Sequence, residues 1–108
     1  MALYTSGIPS NIDSIPSATA TIAAVAIGTT AVQVLAANAN RKGFSIQNTS
    51  NRTLYLGIAN TVSATANFFA IIPANGLYEW SMKSVYTGAV FAISNLANGS
   101  AQALEISP

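Results

Sequence analysis

Residues 41–58, RKGFSIQNTSNRTLYLGI, hold two alternating runs separated by a polar turn, and they decide the fold class. Within 43–48, Phe44 and Ile46 point one way and Ser45 and Gln47 the other, the period of a half-buried strand. Residues 48–52 (Asn, Thr, Ser, Asn, Arg) are turn chemistry. Residues 53–58 then place Leu54, Leu56 and Ile58 on one face, opposite Thr53, Tyr55 and Gly57. Read as one hairpin, the pair would set Arg41 and Arg52 near its opposite ends.

The same grammar extends both ways along the chain. Toward the N-terminus, residues 21–27 and 30–35 read as strands parted by Gly28-Thr29-Thr30. A helix over 18–26 competes there because Ala is the best helix former, but Thr19, Thr21, Ile22 and Val25 weigh against it. Toward the C-terminus, a polar stretch over 60–67 leads to a buried-looking run over 68–72, which Pro73 ends because proline cannot donate to a ladder. Strands follow over 77–82, with Tyr78, Trp80 and Met82 on one face, then over 89–94, and over 101–107 with Leu104 and Ile106 together. Asn75-Gly76 and Asn98-Gly99 are hairpin signals, since both central positions of a type I′ turn take positive φ. Eight or nine short strands predict an all-β antiparallel sandwich or jelly roll over residues 21–108.

Residues 1–20 form a separate section, an extended N-terminal arm. Pro9 and Pro16 bias the residues before them toward extended backbone, and Leu3, Tyr4, Ile8, Ile12 and Ile15 are spaced along it. Two readings stand level: a disordered start, common at termini, or an arm laid across a neighbouring subunit, which would use those apolar residues.

Charged residues make up only 6% of the 108 residues, with no His and no Cys. Globular domains carry about a quarter of their residues as charges. A surface so poor in charge is cheap to cover with another protein, because burying unpaired charge is the costly part of association. Catalysis is a poor match: no His activates a serine, no thiolate exists, and Asp13, Glu79 and Glu105 are far apart in sequence. No cofactor or metal site is expected. A net charge of +1 gives no field to steer nucleic acid, and Arg41, Lys42 and Arg52 lack the interleaved aromatics of a stacking platform. Arg41 and Arg52 read as residues packed on or bridging strands, or as contacts across an assembly interface. The uncharged span 18–37 has membrane length, but it is Ala-rich and broken at Gly28, so no membrane partner is expected. Three Asn-X-Ser/Thr triplets (Asn48, Asn51, Asn98) lie where turns want Asn anyway. Tyr55, Tyr78, Trp80 and Tyr86 admit a sugar-binding face as well as core packing.

Three pieces carry a resemblance: VQVLAANANRKGFSIQNTSNRTLYLG (32–57), VSATANFFAIIPANGLYEW (62–80) and TGAVFAISNLANGSAQALEI (87–106). Their shared pattern is an Arg-led strand ending in Gln-Asn, a Pro-x-x-Gly turn before an aromatic-acidic strand, and a Gly-Ala-Val-aromatic-Ala-Ile strand. The segment resembles small β-rich virion proteins of tailed bacteriophages, head-decoration (cement) proteins among them. That resemblance implies a non-catalytic particle component made in the bacterial cytoplasm. Its partners would be the major capsid protein and further copies of itself, as a homotrimer. The interface residues expected on this reading are Leu3, Tyr4, Ile8, Ile12, Arg41 and Arg52. The alternative is a receptor- or glycan-binding domain of a tail fibre or spike.

Overall fold

The computed structural model describes residues 19–80 and 83–108; the arm residues Leu3, Tyr4, Ile8, Ile12 and Ile15, and Met82, lie outside the described residues. Eight strands follow one another: β1 Thr19–Ile27, β2 Val32–Leu35, β3 Gly43–Asn48, β4 Leu54–Gly57, β5 Ala70–Ile72, β6 Leu77–Glu79, β7 Val90–Ser94 and β8 Gly99–Ser107. They form two four-stranded antiparallel sheets, ordered β1-β8-β3-β6 and β2-β7-β4-β5. This interleaving is that of a jelly roll, an all-β sandwich as the alternation predicts. The Ala-rich segment is strand, not helix, and no helix among the described residues is long and apolar enough to cross a membrane.

Sequence-adjacent strands mostly lie in opposite sheets; only β4 and β5 pair directly. The hairpins expected at 48–52, Asn75-Gly76 and Asn98-Gly99 are therefore corners between sheets. In both Asn-Gly pairs the two residues divide the work differently from a type I′ turn. Asn75 (φ 61°) and Asn98 (φ 69°) take the positive φ, and the glycine after each does not. Gly76 donates to the Pro73 carbonyl at 2.9 Å, closing a turn whose third residue is Asn75, as in type II. Gly99 is there for closeness: a Cβ on it would lie 2.6 Å from the Ile27 carbonyl oxygen and 2.9 Å from Ser94 Cβ.

The core is aliphatic. Phe44 and Ile46 of β3, Leu54 and Leu56 of β4, Ile72, Val90 and Ala92 are buried between the sheets. Ile58, expected on the Leu54/Leu56 face, is exposed because β4 ends at Gly57 and the chain leaves the pleat. The run 68–72 likewise buries only Ile72 fully, since β5 is an edge strand. On β8 the inward residues are Ala101, Ala103 and Glu105, aligned with Asn48, Ile46 and Phe44; Leu104 and Ile106 share the outer face. Small residues suffice there because larger side chains from β3 and the facing sheet already fill the space.

Candidate functional site

The ends of the sandwich are closed by two buried polar side chains, both on or beside β3. Arg41 has a fully buried guanidinium. Its Nε donates to Glu105 Oε2 at 2.7 Å, Nη1 to the carbonyls of Tyr86 (2.7 Å) and Gly88 (2.9 Å), and Nη2 to that of Ala36 (2.6 Å). It also sits 5.4 Å from the centre of the Phe44 ring. A planar fork with five donors is the side chain suited to gathering three carbonyls and a carboxylate at once. At the opposite end Asn48, also buried, donates through Nδ2 to the carbonyls of Arg52 (2.6 Å), Ile72 (3.1 Å) and Pro73 (3.0 Å). Its Oδ1 accepts from Ser50 N (2.9 Å) and Oγ (2.7 Å). Such burial leaves Asn48 no room as a glycan acceptor. Arg52 lies on the β3–β4 corner and donates from Nε to the Ala97 carbonyl at 2.9 Å, tying that corner to the β7–β8 connection. Arg41 and Arg52 thus sit at opposite ends of the sandwich, and neither forms part of a basic patch.

The sides of the sandwich are different. Along the edge formed by β5 and β6 the sheets splay, opening a cleft of about 690 Å³ lined by Ile58, Phe68, Phe69, Tyr78, Trp80 and Tyr86, with Thr61 and Asn67 at its polar margin. Alternation turns Tyr78 of β6 inward, and Trp80, the residue just past the strand, follows it and packs on Phe44 with ring centres 5.4 Å apart. Phe69 meets Tyr78 edge-on at 5.6 Å and Trp80 at 6.2 Å, and Tyr86 stands 6.2 Å from Trp80. Burial pushes the Tyr78 phenol above its ordinary pKa of 10.0, because the site disfavours a phenolate. Three of the four aromatics singled out in the sequence converge here. Tyr55 does not: it lies on the outer face of β4, edge-on to Phe68 at 5.4 Å. The missed members are Phe68 and Phe69, whose one signal was an aromatic pair ahead of a strand and Pro73.

The cleft has few free polar groups. Trp80 Nε1 already donates to the Ser84 carbonyl at 2.9 Å, and Asn67 Nδ2 to that of Thr61 at 3.2 Å. Stacking surface is therefore its main offering. Among the described residues no cluster of metal-ligating side chains occurs, and none of the cleft-lining residues is charged.

The opposite edge is β1. Its first six residues are exposed on both faces of the strand, Ile22 at 68%, and none carries a charge. Only Val25 and Ile27 reach the cover of the second sheet, because β2 is short.

No family model matches the chain, and neither curated proteins nor solved structures give a significant match.

Proposed function

We propose that this chain is a non-catalytic structural subunit of a tailed-phage particle, a head-decoration (cement) protein that bridges capsid subunits. The observation that carries the reading is β1. An uncharged nine-residue edge strand, exposed on both faces for most of its length, is a liability in a freely diffusing monomer and an asset in a lattice. The internal Arg41–Glu105 pair thins the surface charge further, leaving Lys42, Glu79 and Lys83 as its exposed charges among the described residues. Stabilisation would follow from linkage, since a protein that binds the assembled shell and not its free subunits shifts the equilibrium toward the shell. Symmetry repeats each modest contact, and avidity makes the sum strong. Quantitative mass spectrometry of purified virions tests this: a copy number comparable with that of the major capsid protein is the expected result. A number lower by an order of magnitude would move the chain to the tail or a single vertex.

The aromatic cleft favours a second reading, a glycan-binding domain of a fibre or spike. Tyr78, Trp80 and Tyr86 offer ring faces to a sugar, with Thr61 and Asn67 beside them. Glycan-array binding that Phe69→Ala abolishes would establish it.

A further inference from the structure

We propose that the aromatic cleft at the β5/β6 edge is the seat of the N-terminal arm of a second copy of this chain. The inference rests on the assembly reading above and adds the contact that would hold one copy to the next.

Thr19 pairs with Ser107, and Ile106 aligns with both Ala20 and Gly43, so β1 begins at the Arg41 end of its sheet. The cleft opens at that same end, because Trp80 donates to the Phe44 carbonyl and the Tyr86 carbonyl accepts from Arg41. Yet β1 and β6 are the two outer strands of one sheet, about 14 Å apart across three strand spacings. Donor and acceptor thus sit on opposite edges of one domain, which is the arrangement a head-to-tail contact between copies uses.

Composition matches the two surfaces. The arm's spaced apolar residues Leu3, Tyr4, Ile8 and Ile12, with Pro9 and Pro16, make a segment biased to extended backbone and rich in groups that pack on aromatic rings. The cleft presents ring faces, while the indole N–H of Trp80 and the amide of Asn67 are already bonded within the chain. An apolar segment loses nothing to those engaged donors, whereas a sugar would have to rely on the hydroxyls of Thr61, Tyr78 and Tyr86. The 18 residues before β1 span up to ~60 Å when extended, ample to cross to a neighbour.

Trp80 is the one tryptophan of the chain, so the cleft carries its own reporter. The full-length arm variant Leu3→Asp/Ile8→Asp/Ile12→Asp keeps every described residue, and far-UV circular dichroism checks its fold. The expected results are loss of the native oligomer in light scattering, a red-shifted Trp80 emission and easier quenching by acrylamide. Mixing it with the Trp80→Phe chain, which has an intact arm and no tryptophan, should restore the blue shift and the protection, because an arm supplied in trans covers the reporter. Full-length Ile58→Asp, altered at the exposed cleft rim, should also lose the oligomer.

Three results overturn the proposal in distinguishable ways. If the arm variant still assembles and its Trp80 is quenched like that of the native chain, the cleft is not the arm's seat, and the assembly reading survives. If the native chain protects Trp80 but mixing restores nothing, the arm docks on its own domain. A native chain that is monomeric at every concentration, with Trp80 as exposed as in the arm variant, removes exchange between copies; the virion copy number then judges the cement reading alone.

Discussion

The ends of this sandwich and its edges are built on opposite principles. At each end one buried polar side chain, Arg41 or Asn48, collects carbonyls from several connections and leaves little for solvent or a partner to add. Along the edges, β1 on one side and the β5/β6 cleft on the other, apolar groups stay uncovered: Ile22, Ile58, Ile71 and Leu77 are all more than half exposed. Stability is concentrated where the fold is closed, and the surface open to association lies where it is not. A domain designed only to be stable would have capped both.

Substitutions can break that contrast, and the largest effect belongs to Arg41. Arg41→Ala orphans the Ala36, Tyr86 and Gly88 carbonyls and leaves Glu105 without its partner, so chemical denaturation should show a loss of about 3–5 kcal/mol. Arg41→Lys should recover only part of it, since one ammonium cannot span those acceptors. Asn48→Leu comes next: it strips the amide from three carbonyls and from Ser50, and a loss of about 2–3 kcal/mol in the same assay is expected. Gly99→Ala drives a methyl against the Ile27 carbonyl and Ser94, at about 1–3 kcal/mol, read as a lowered Tm.

The edges should respond in association rather than in stability. Tyr78 gives a pH test of the cleft wall. Its pKa is raised in the folded state, so between 10.0 and that higher value the unfolded chain has released a proton that the folded chain retains. Stability therefore falls as pH rises through this window, and Tyr78→Phe should fall less steeply in alkaline thermal melts. The smallest effect is expected for Leu77→Ser, at 57% exposure on β6: a change within about 0.5 kcal/mol, as for ordinary surface positions. A large loss there would mean that the edge is structural after all.

Much of the strand pattern was legible because alternation is local. Residues 43–48 and 101–107 needed almost no adjustment, and Phe44, Ile46, Leu54 and Leu56 are core as their period-2 spacing indicates. Tyr78 and Trp80 were placed on one face by the same rule. Partner choice was not legible. Asn-Gly reports a tight reversal and does not say whether the chain returns to the same sheet, so two expected hairpins became corners. Ile58 had the right spacing and the wrong side of a strand end. Arg41 carried no sign in its neighbours that its carboxylate would come from Glu105, in the last strand.

The sequence by itself determined an all-β chain of short strands, a charge-poor surface and the absence of any His or Cys chemistry, since each follows from composition or from a two-residue period. Only the tertiary structure decided the jelly-roll order, the two polar closures and the meeting of Phe69, Tyr78, Trp80 and Tyr86 in one cleft. Those depend on which strands lie side by side, and that is fixed by how two sheets close over a shared core, a property of the whole chain rather than of any window within it.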